Sequence, residues 1–194
     1  MNDFIFFLNE GINHVLDINA YDHVLFLIAL AVIFSFKEWK KAVSLISLFT
    51  LGHTITLLLA AYKIVAFPSE IIEFLIPVTI LITCVFNLFY RKKEKTFLQE
   101  NLNLIFALVF GLVHGLGFSS YFKMLIGGTE NKLWPLLEFA LGIEFAQIII
   151  IFAIFSIEAV LAKYAKLPKR EWVLITSSMV AGVVFPILME NKIW

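Results

Sequence analysis

Long apolar runs alternate with short polar segments along the whole chain. A helix needs about 20 mostly apolar residues to cross the roughly 30 Å of hydrocarbon in a bilayer. Six runs approach or reach that length, at approximately residues 20–36, 42–62, 71–90, 102–126, 136–162 and 172–190. Barrel strands alternate apolar and polar residues instead. Because these runs are continuously apolar, the pattern predicts an all-α, polytopic membrane helix bundle with about six transmembrane helices.

The segment ahead of the first run, residues 1–19, has a different pattern. Phe4, Leu8, Ile12 and Val15 recur at helical spacing on one side, and polar residues such as His14 fall on the other. This pattern predicts a short amphipathic helix at the membrane interface or in the mouth of the bundle. Residues 20–194 form the predicted bundle, and no internal repeat is evident. We therefore expect residues 1–194 to form a single transmembrane domain.

Composition narrows the class of protein further. Of the 194 residues, 61% are hydrophobic and only 15% are charged, whereas a soluble domain is about 45–50% apolar and about 25% charged. A water-soluble globule is therefore excluded, and the lipid bilayer is the expected surrounding. Fifteen Lys and Arg balance fifteen Asp and Glu, so no basic excess exists to bind nucleic acid.

Basic residues gather in alternate loops. The first, third and fifth loops between the apolar runs hold eleven of the fifteen cations: Lys37, Lys40, Lys41, Arg91, Lys92, Lys93, Lys95, Lys163, Lys166, Lys169 and Arg170. Positive loops stay on the cytoplasmic side. The pattern predicts a multi-pass protein of the bacterial inner membrane with both termini on the outer, periplasmic side.

Ionisable side chains inside these runs point to function. Placing one there costs about 2.5–3.5 kcal/mol on insertion scales. At a rise of 1.5 Å per residue, His53 lies roughly 16 Å and His114 roughly 18 Å from the inner ends of their runs, and Glu144 lies at a comparable depth. All four histidines of the chain fall in the outer half of this topology. Glu158, near the inner end of its run, is expected either to extend its carboxylate to the interface or to pair with a cytoplasmic lysine.

Imidazole and carboxylate groups are the ligands of divalent ions such as Ni²⁺, Co²⁺, Zn²⁺ and Fe²⁺. Four histidines with several acids therefore predict one or two metal sites. Asp22 and His23 are adjacent, so their side chains diverge by about 100° on a helix. We expect Asp22 to orient a histidine rather than share its ion. Asn87 and Gln147 either support the site or join helices by hydrogen bonds.

Four stretches carry a family resemblance. They are Gly11-Ile-Asn-His14 with Tyr21-Asp22-His23-Val-Leu-Phe-Leu; Phe49-Thr-Leu-Gly-His53-Thr-Ile-Thr56-Leu; Phe110-Gly-Leu-Val-His114-Gly-Leu-Gly-Phe118; and Gly142-Ile-Glu144-Phe-Ala-Gln147. These motifs span almost the whole chain, and the sequence resembles the second branch of the HupE/UreJ family of membrane proteins.

The resemblance implies a hydrogenase or urease accessory protein that acts as a nickel or cobalt permease. The metal-handling set it implies is His14, Asp22, His23, His53, His114 and Glu144. The supporting polar set is Glu73, Thr56, Asn87 and Gln147. Transport of a divalent transition metal through an outward-facing site is thus the expected function, with no catalytic residue assigned.

Three other functions remain open at the level of sequence. A Zn²⁺ ion with one free coordination position could hydrolyse a lipid or lipoprotein at the outer leaflet. His53 and His114 could be the axial ligands of a haem. The chain could also be a non-catalytic subunit of a membrane complex, with a membrane-protein partner or a second copy of itself.

Overall fold

The computed structural model describes residues 3–17, 21–89, 97–127, 129 and 131–193, so the basic loop residues 91–95 lie outside it. Within these ranges the secondary structure is helical. The helices are α1 (Asp3–Leu16), α2 (Asp22–Ala31), α3 (Trp39–Ala61), α4 (Ser69–Leu88), α5 (Phe97–Ile126), α6 (Leu133–Tyr164) and α7 (Lys169–Glu190), with a 3₁₀ turn at Phe36–Glu38. The predicted helix bundle is confirmed.

The predicted spans correspond to α2–α7. Among the described residues, α3, α4, α5, α6 and α7 are long and apolar enough to cross a membrane, whereas α2 has only 10 residues. Phe26 and Ala29 of this short helix are fully buried. Because α2 is enclosed by its neighbours, it does not need the length of a lipid-facing span.

Helix ends follow local chemistry. α3 ends where Lys63 takes a left-handed conformation (φ 59°), and α6 ends the same way at Lys166 (φ 53°). The amide of Ile64 then bonds back to the carbonyl of Leu59 at 2.8 Å, which satisfies one of the last carbonyls of α3. α4 and α7 each begin directly after an extended proline, Pro68 and Pro168.

The predicted N-terminal helix is present as α1, and its buried face does not coincide with its apolar side. Phe7, Gly11 and Val15 are buried, while Phe4 is 44% exposed. The predicted apolar side therefore faces partly outward, and His14 lies on the side that meets the bundle. The reason is Gly11, which lacks a side chain and so lets α1 approach another helix closely.

Contacts at the two ends of the bundle fix the direction of its helices. At one end, the Lys132 amine donates to the carbonyl of Ala61 at 2.7 Å, so the start of α6 meets the end of α3. At the other end, Lys169 lies 3.3 Å from Glu158 and also donates to the Phe34 carbonyl. Of the two roles expected of Glu158, the structure shows the pairing with a lysine. We call these the Lys132 end and the Lys169 end.

The outer surface of the long helices is apolar. Large side chains on α4–α7 are more than half exposed, among them Phe86, Phe145, Ile149 and Met179. Water-soluble proteins rarely expose apolar surface on this scale. Together with the five long apolar helices, it fits a multi-pass membrane protein whose exposed faces contact lipid.

Candidate metal centre

A close crossing of α1 and α6 positions His14 inside the bundle. A β-carbon added at Gly11 of α1 would lie 2.1 Å from the carbonyl oxygen of Phe139, and one at Gly142 of α6 would lie 2.1 Å from the oxygen of Leu8. The two backbones therefore touch, with each glycine facing the other helix. His14 follows Gly11 by three residues, so the crossing carries its ring into the bundle.

The same kind of crossing joins α3 and α5. A β-carbon at Gly111 would lie 2.1 Å from the Phe49 oxygen, and one at Gly52 would lie 2.3 Å from the Leu108 oxygen. His53 directly follows Gly52, and His114 follows Gly111 by three residues, as His14 follows Gly11. No repeat was evident in the sequence, yet a recurring arrangement of glycine and histidine brings three of the four rings together.

All four histidines meet in one cluster. The ring of His14 lies 4.3 Å from that of His23 and 5.5 Å from that of His53, and the His23 ring lies 5.6 Å from that of His114. Ligand atoms of His14, His23 and His53 lie within 4.8 Å of one another. Nitrogens bound to one tetrahedral ion at 2.0–2.1 Å are about 3.4 Å apart. Small rotations would therefore close this trio on an ion.

Hydrogen bonds orient two of the rings. Nδ1 of His23 faces the Asp22 carboxylate at 3.3 Å, and Nδ1 of His114 faces the Phe110 carbonyl at 2.8 Å. With the proton held on Nδ1, the Nε2 lone pair of each ring is free. The histidine that Asp22 contacts is therefore its neighbour in sequence, His23.

Five other ring nitrogens are buried and have no hydrogen-bond partner among the described residues. They are Nε2 of His14, His23 and His114, and both nitrogens of His53. A buried polar atom without a hydrogen bond costs about 1–3 kcal/mol. Several such atoms lie in one cluster, and imidazole nitrogens are ligands of divalent transition-metal ions.

His14 lies on α1, outside the spanning helices, and its protonation suits this purpose. Burial and the neighbouring His23, His53 and His114 lower the pKa of His14 well below its ordinary value of 6.5. The ring is therefore neutral at physiological pH, and binding a metal ion there displaces no proton.

Aromatic rings enclose the cluster. Phe118 lies over His14 with ring centroids 3.7 Å apart. Phe49 and Phe26 lie 5.1 and 5.3 Å from His114, and their own rings are stacked at 4.7 Å. The stack is fully buried. Such a shell keeps water out and strengthens the electrostatic interactions of any bound ion.

The comparison with protein families agrees with this architecture. A family model described as HupE / UreJ protein matches residues 1–191. The chain belongs to the HupE/UreJ family. Neither a curated protein nor a solved structure matches it.

In this HupE/UreJ protein, the hydrogen-bond partner of Glu144 is a serine and not one of the histidines. Its carboxylate accepts a hydrogen bond from Ser47 at 2.5 Å, and it is not part of the close trio of ligand atoms. Gln147, one turn along α6, accepts from Thr50 at 2.9 Å and is fully buried. Glu144 and Gln147 thus form a polar group of their own between α3 and α6.

Thr56 and Asn87 connect helices. The Thr56 hydroxyl lies 2.9 Å from the Leu112 carbonyl across the crossing of α3 and α5. The Asn87 amide donates to the Ala29 carbonyl at 2.7 Å and to the Ser177 hydroxyl at 3.1 Å, which joins α4 to α2 and α7. Of the two roles open to Asn87, these contacts favour the joining of helices.

Glu73 lies away from the cluster at the Lys132 end. It is exposed and lines a surface pocket of about 390 Å³ with Glu70 and Glu190. The backbone carbonyl of Glu73 accepts a hydrogen bond from Asn191 at 3.3 Å. Its side chain therefore reaches the surface and not the histidines.

The sequence analysis missed two sets of residues at the centre. Phe118 and Phe139 shield His14, and Ser47 is the partner of Glu144. Spacing offered a signal for Ser47, because Ser47, Thr50 and His53 recur every three residues on one side of α3. Phe118 ends one of the motifs that carry the resemblance, but in a chain with 21 Phe nothing indicated that its ring and that of Phe139 lie against His14.

Proposed function

We propose that this HupE/UreJ protein binds a divalent transition-metal ion in the four-histidine cluster and carries it across the membrane. The observation that carries the proposal is the convergence of buried, unpartnered imidazole nitrogens from four helices. The metal is the transported substrate, and His14, His23, His53 and His114 are its ligands, with Asp22 orienting His23.

The donor set supports borderline metal ions. Imidazole suits Ni²⁺, Co²⁺, Zn²⁺ and Fe²⁺, whereas Mg²⁺ and Ca²⁺ prefer oxygen. Affinity for such a site rises from Fe²⁺ to Ni²⁺ along the first-row series. We therefore expect Ni²⁺, Co²⁺ and Zn²⁺ to bind and Mg²⁺ to be rejected.

Transport fits the position of the cluster. His53 is nearer to the end of α3 at Ala61 than to its start at Trp39, so the ions bind nearer the Lys132 end. The basic loops favour the Lys169 end as the cytoplasmic one. We infer that metal reaches the histidines from the periplasmic side and leaves toward the cytoplasm, where a hydrogenase or urease assembly partner would receive it.

Metal analysis of purified protein tests the binding step. Wild type dialysed against Ni²⁺ or Zn²⁺ is expected to retain about one ion per chain, and His53→Ala or His114→Ala to retain little. Thr54→Ala, next to His53 on α3, is the matched control. Wild type without bound metal, or histidine variants that bind like wild type, would overturn the proposal.

Uptake into proteoliposomes tests the transport step. Wild-type protein is expected to move ⁶³Ni²⁺ or ⁶⁵Zn²⁺ inward, and His53→Ala to move neither. Bound metal without flux would leave the binding proposal in place and exclude transport.

An intramembrane metal hydrolase is the second candidate, and the spacing of the histidines favours it. His14, His23 and His53 form the close trio, whereas His114 is not part of it. Three histidines with one open position are the ligands of a catalytic Zn²⁺, which lowers the pKa of its bound water to about 7. Turnover of a phospholipid or lipoprotein by the Zn²⁺-loaded protein, without metal flux, would favour this function.

A further inference from the structure

A second polar group lies between α3 and α6, apart from the histidines. Ser47 donates to Glu144, and Thr50 donates to Gln147. Because α3 and α6 run in opposite directions, residues three apart ascend on one helix and descend on the other, so the two hydrogen bonds cross between the helices. Glu144 lies 11 residues into α6, roughly 16 Å from its start at a rise of 1.5 Å per residue. Thr50 and Gln147 are buried, Glu144 is half-buried and Ser47 is exposed, so the group lies about midway along the span and extends from the core to the surface.

Glu144 has no cationic partner among the residues that the structure describes. Two ion pairs of the bundle are those of His23 with Asp22 and Lys169 with Glu158. Glu144 takes part in neither, and a hydroxyl is the partner the structure gives it. A carboxylate at this depth is costly unless a cation neutralises it.

Gln147 provides an independent sign of a missing ligand. The side chain is fully buried, and its Nε2 atom has no hydrogen-bond partner within the protein. Rotation of the Gln147 side-chain amide by 180° exchanges its oxygen and its nitrogen. The hydrogen bond to Thr50 is kept, because a hydroxyl accepts as well as donates. The amide oxygen then occupies the position of the unpartnered nitrogen.

The available donors are all oxygens. They comprise one carboxylate, two hydroxyls and one amide, and oxygen donors suit hard cations. One negative charge is balanced by one positive charge, so a divalent ion would leave an excess charge in the hydrocarbon. A proton would neutralise Glu144 but leave the Gln147 amide without a ligand. Sodium satisfies both requirements.

We propose that Ser47, Thr50, Glu144 and Gln147 form a second cation site that binds Na⁺. His53 follows Thr50 by three residues on α3, and side chains at that spacing are about 5–6 Å apart. The sodium site thus adjoins the metal site. If the chain transports metal, as proposed above, an inward sodium gradient drives that transport; this last step rests on the proposed function, whereas Na⁺ binding does not.

Equilibrium dialysis with ²²Na⁺ tests the site directly on full-length protein in detergent. Wild type is expected to bind about one ion per chain, and Glu144→Gln to bind at least tenfold more weakly. Gln147→Leu provides a second variant that keeps the carboxylate and is expected to weaken binding too. Glu190→Gln, the same change at an exposed position, is the matched control and is expected to bind like wild type.

Binding of Ni²⁺ or Zn²⁺ by the same samples shows that each variant is folded and separates the two proposals. Retained transition metal with lost ²²Na⁺ in Glu144→Gln supports the sodium site. Absence of ²²Na⁺ binding by wild type overturns it, as does equal binding by wild type and Glu144→Gln. Loss of transition metal in Glu144→Gln also overturns it, since Glu144 would then belong to the histidine cluster. In proteoliposomes, metal uptake by wild type is expected to rise with an inward Na⁺ gradient and not with a pH gradient.

Discussion

Gly111 of α5 rests directly on the backbone of Phe49 in α3. A β-carbon at Gly111 would lie 2.1 Å from the Phe49 oxygen, far inside van der Waals contact. This contact sets the separation of the two helices that carry His53 and His114. The distance between the two rings therefore depends on the absence of a side chain several residues away.

Gly111→Ala is accordingly expected to destabilise the protein. The methyl group forces α3 and α5 apart, and overpacking of this kind costs about 1–3 kcal/mol. Metal affinity should fall in parallel, because the ligands separate. Thermal unfolding in detergent and a Zn²⁺ titration measure the two effects. Gly182→Ala is the control, since nothing lies within 4 Å of the added carbon; equal losses in both variants would contradict the role of the crossing.

Asp22→Asn tests the orientation of His23. An amide can donate to Nδ1 of His23, which places the ring proton on Nε2 and blocks the metal-binding lone pair. Loss of such an orienting partner lowers metal affinity by about 10–100-fold. Isothermal titration with Ni²⁺ or Zn²⁺ measures the change. Asp3→Asn, exposed in the first turn of α1, should bind like wild type, and equal affinities in all three proteins would exclude the effect.

The helical bundle was largely predictable from the sequence, since continuous apolar runs identify membrane-spanning helices. The depth of His53 and His114 followed from the same counting, because a helix rises by a constant amount per residue. The pairing of Glu158 with a lysine followed from its place near a basic loop. Each of these inferences uses only the length of a single helix and the position of a residue along it.

Features that depend on how two helices pack against each other were not predictable from the sequence. The apolar pattern did not indicate the inward face of α1, because Gly11 contributes nothing to that pattern although it decides which side packs. Glu144 was expected at the depth of His53, but depth along one helix did not indicate that its partner is Ser47 of α3. The length of α2 likewise depends on the neighbours that enclose it.

Asn87→Ala distinguishes joining of helices from metal binding. Loss of the amide leaves the buried Ala29 carbonyl without its partner, which costs about 1–3 kcal/mol. The expected result is a lower melting temperature with an unchanged metal content. Thr83→Ala on the same helix is the control, because the Thr83 hydroxyl bonds back to its own helix at Thr79. A loss of bound metal at wild-type stability would instead place Asn87 on the path of the ion.

Glu158→Gln is expected to weaken the Lys169 end alone. Glu158 and Lys169 are 14% and 16% exposed, so the pair is partly shielded from water and its loss should cost about 1–3 kcal/mol. Metal content should remain that of wild type, because the histidines lie toward the other end. Unfolding curves at low and high salt test the electrostatic origin: the difference from wild type should shrink as salt screens the pair.

Bound metal should stabilise the fold. A ligand that binds only the folded protein adds about 2.7 kcal/mol at 100 times its dissociation constant, and here it would also satisfy imidazole nitrogens that are otherwise buried without a partner. Melting temperature is therefore expected to rise on addition of Ni²⁺ or Zn²⁺ and to return to its starting value with a chelator.

Mg²⁺ should have no effect, because the cluster offers nitrogen and not oxygen. His53→Ala should abolish the shift, since His53 belongs to the close trio and both nitrogens of its ring are buried without a partner among the described residues. A shift of wild-type size in that variant would mean that the stabilising ion binds elsewhere.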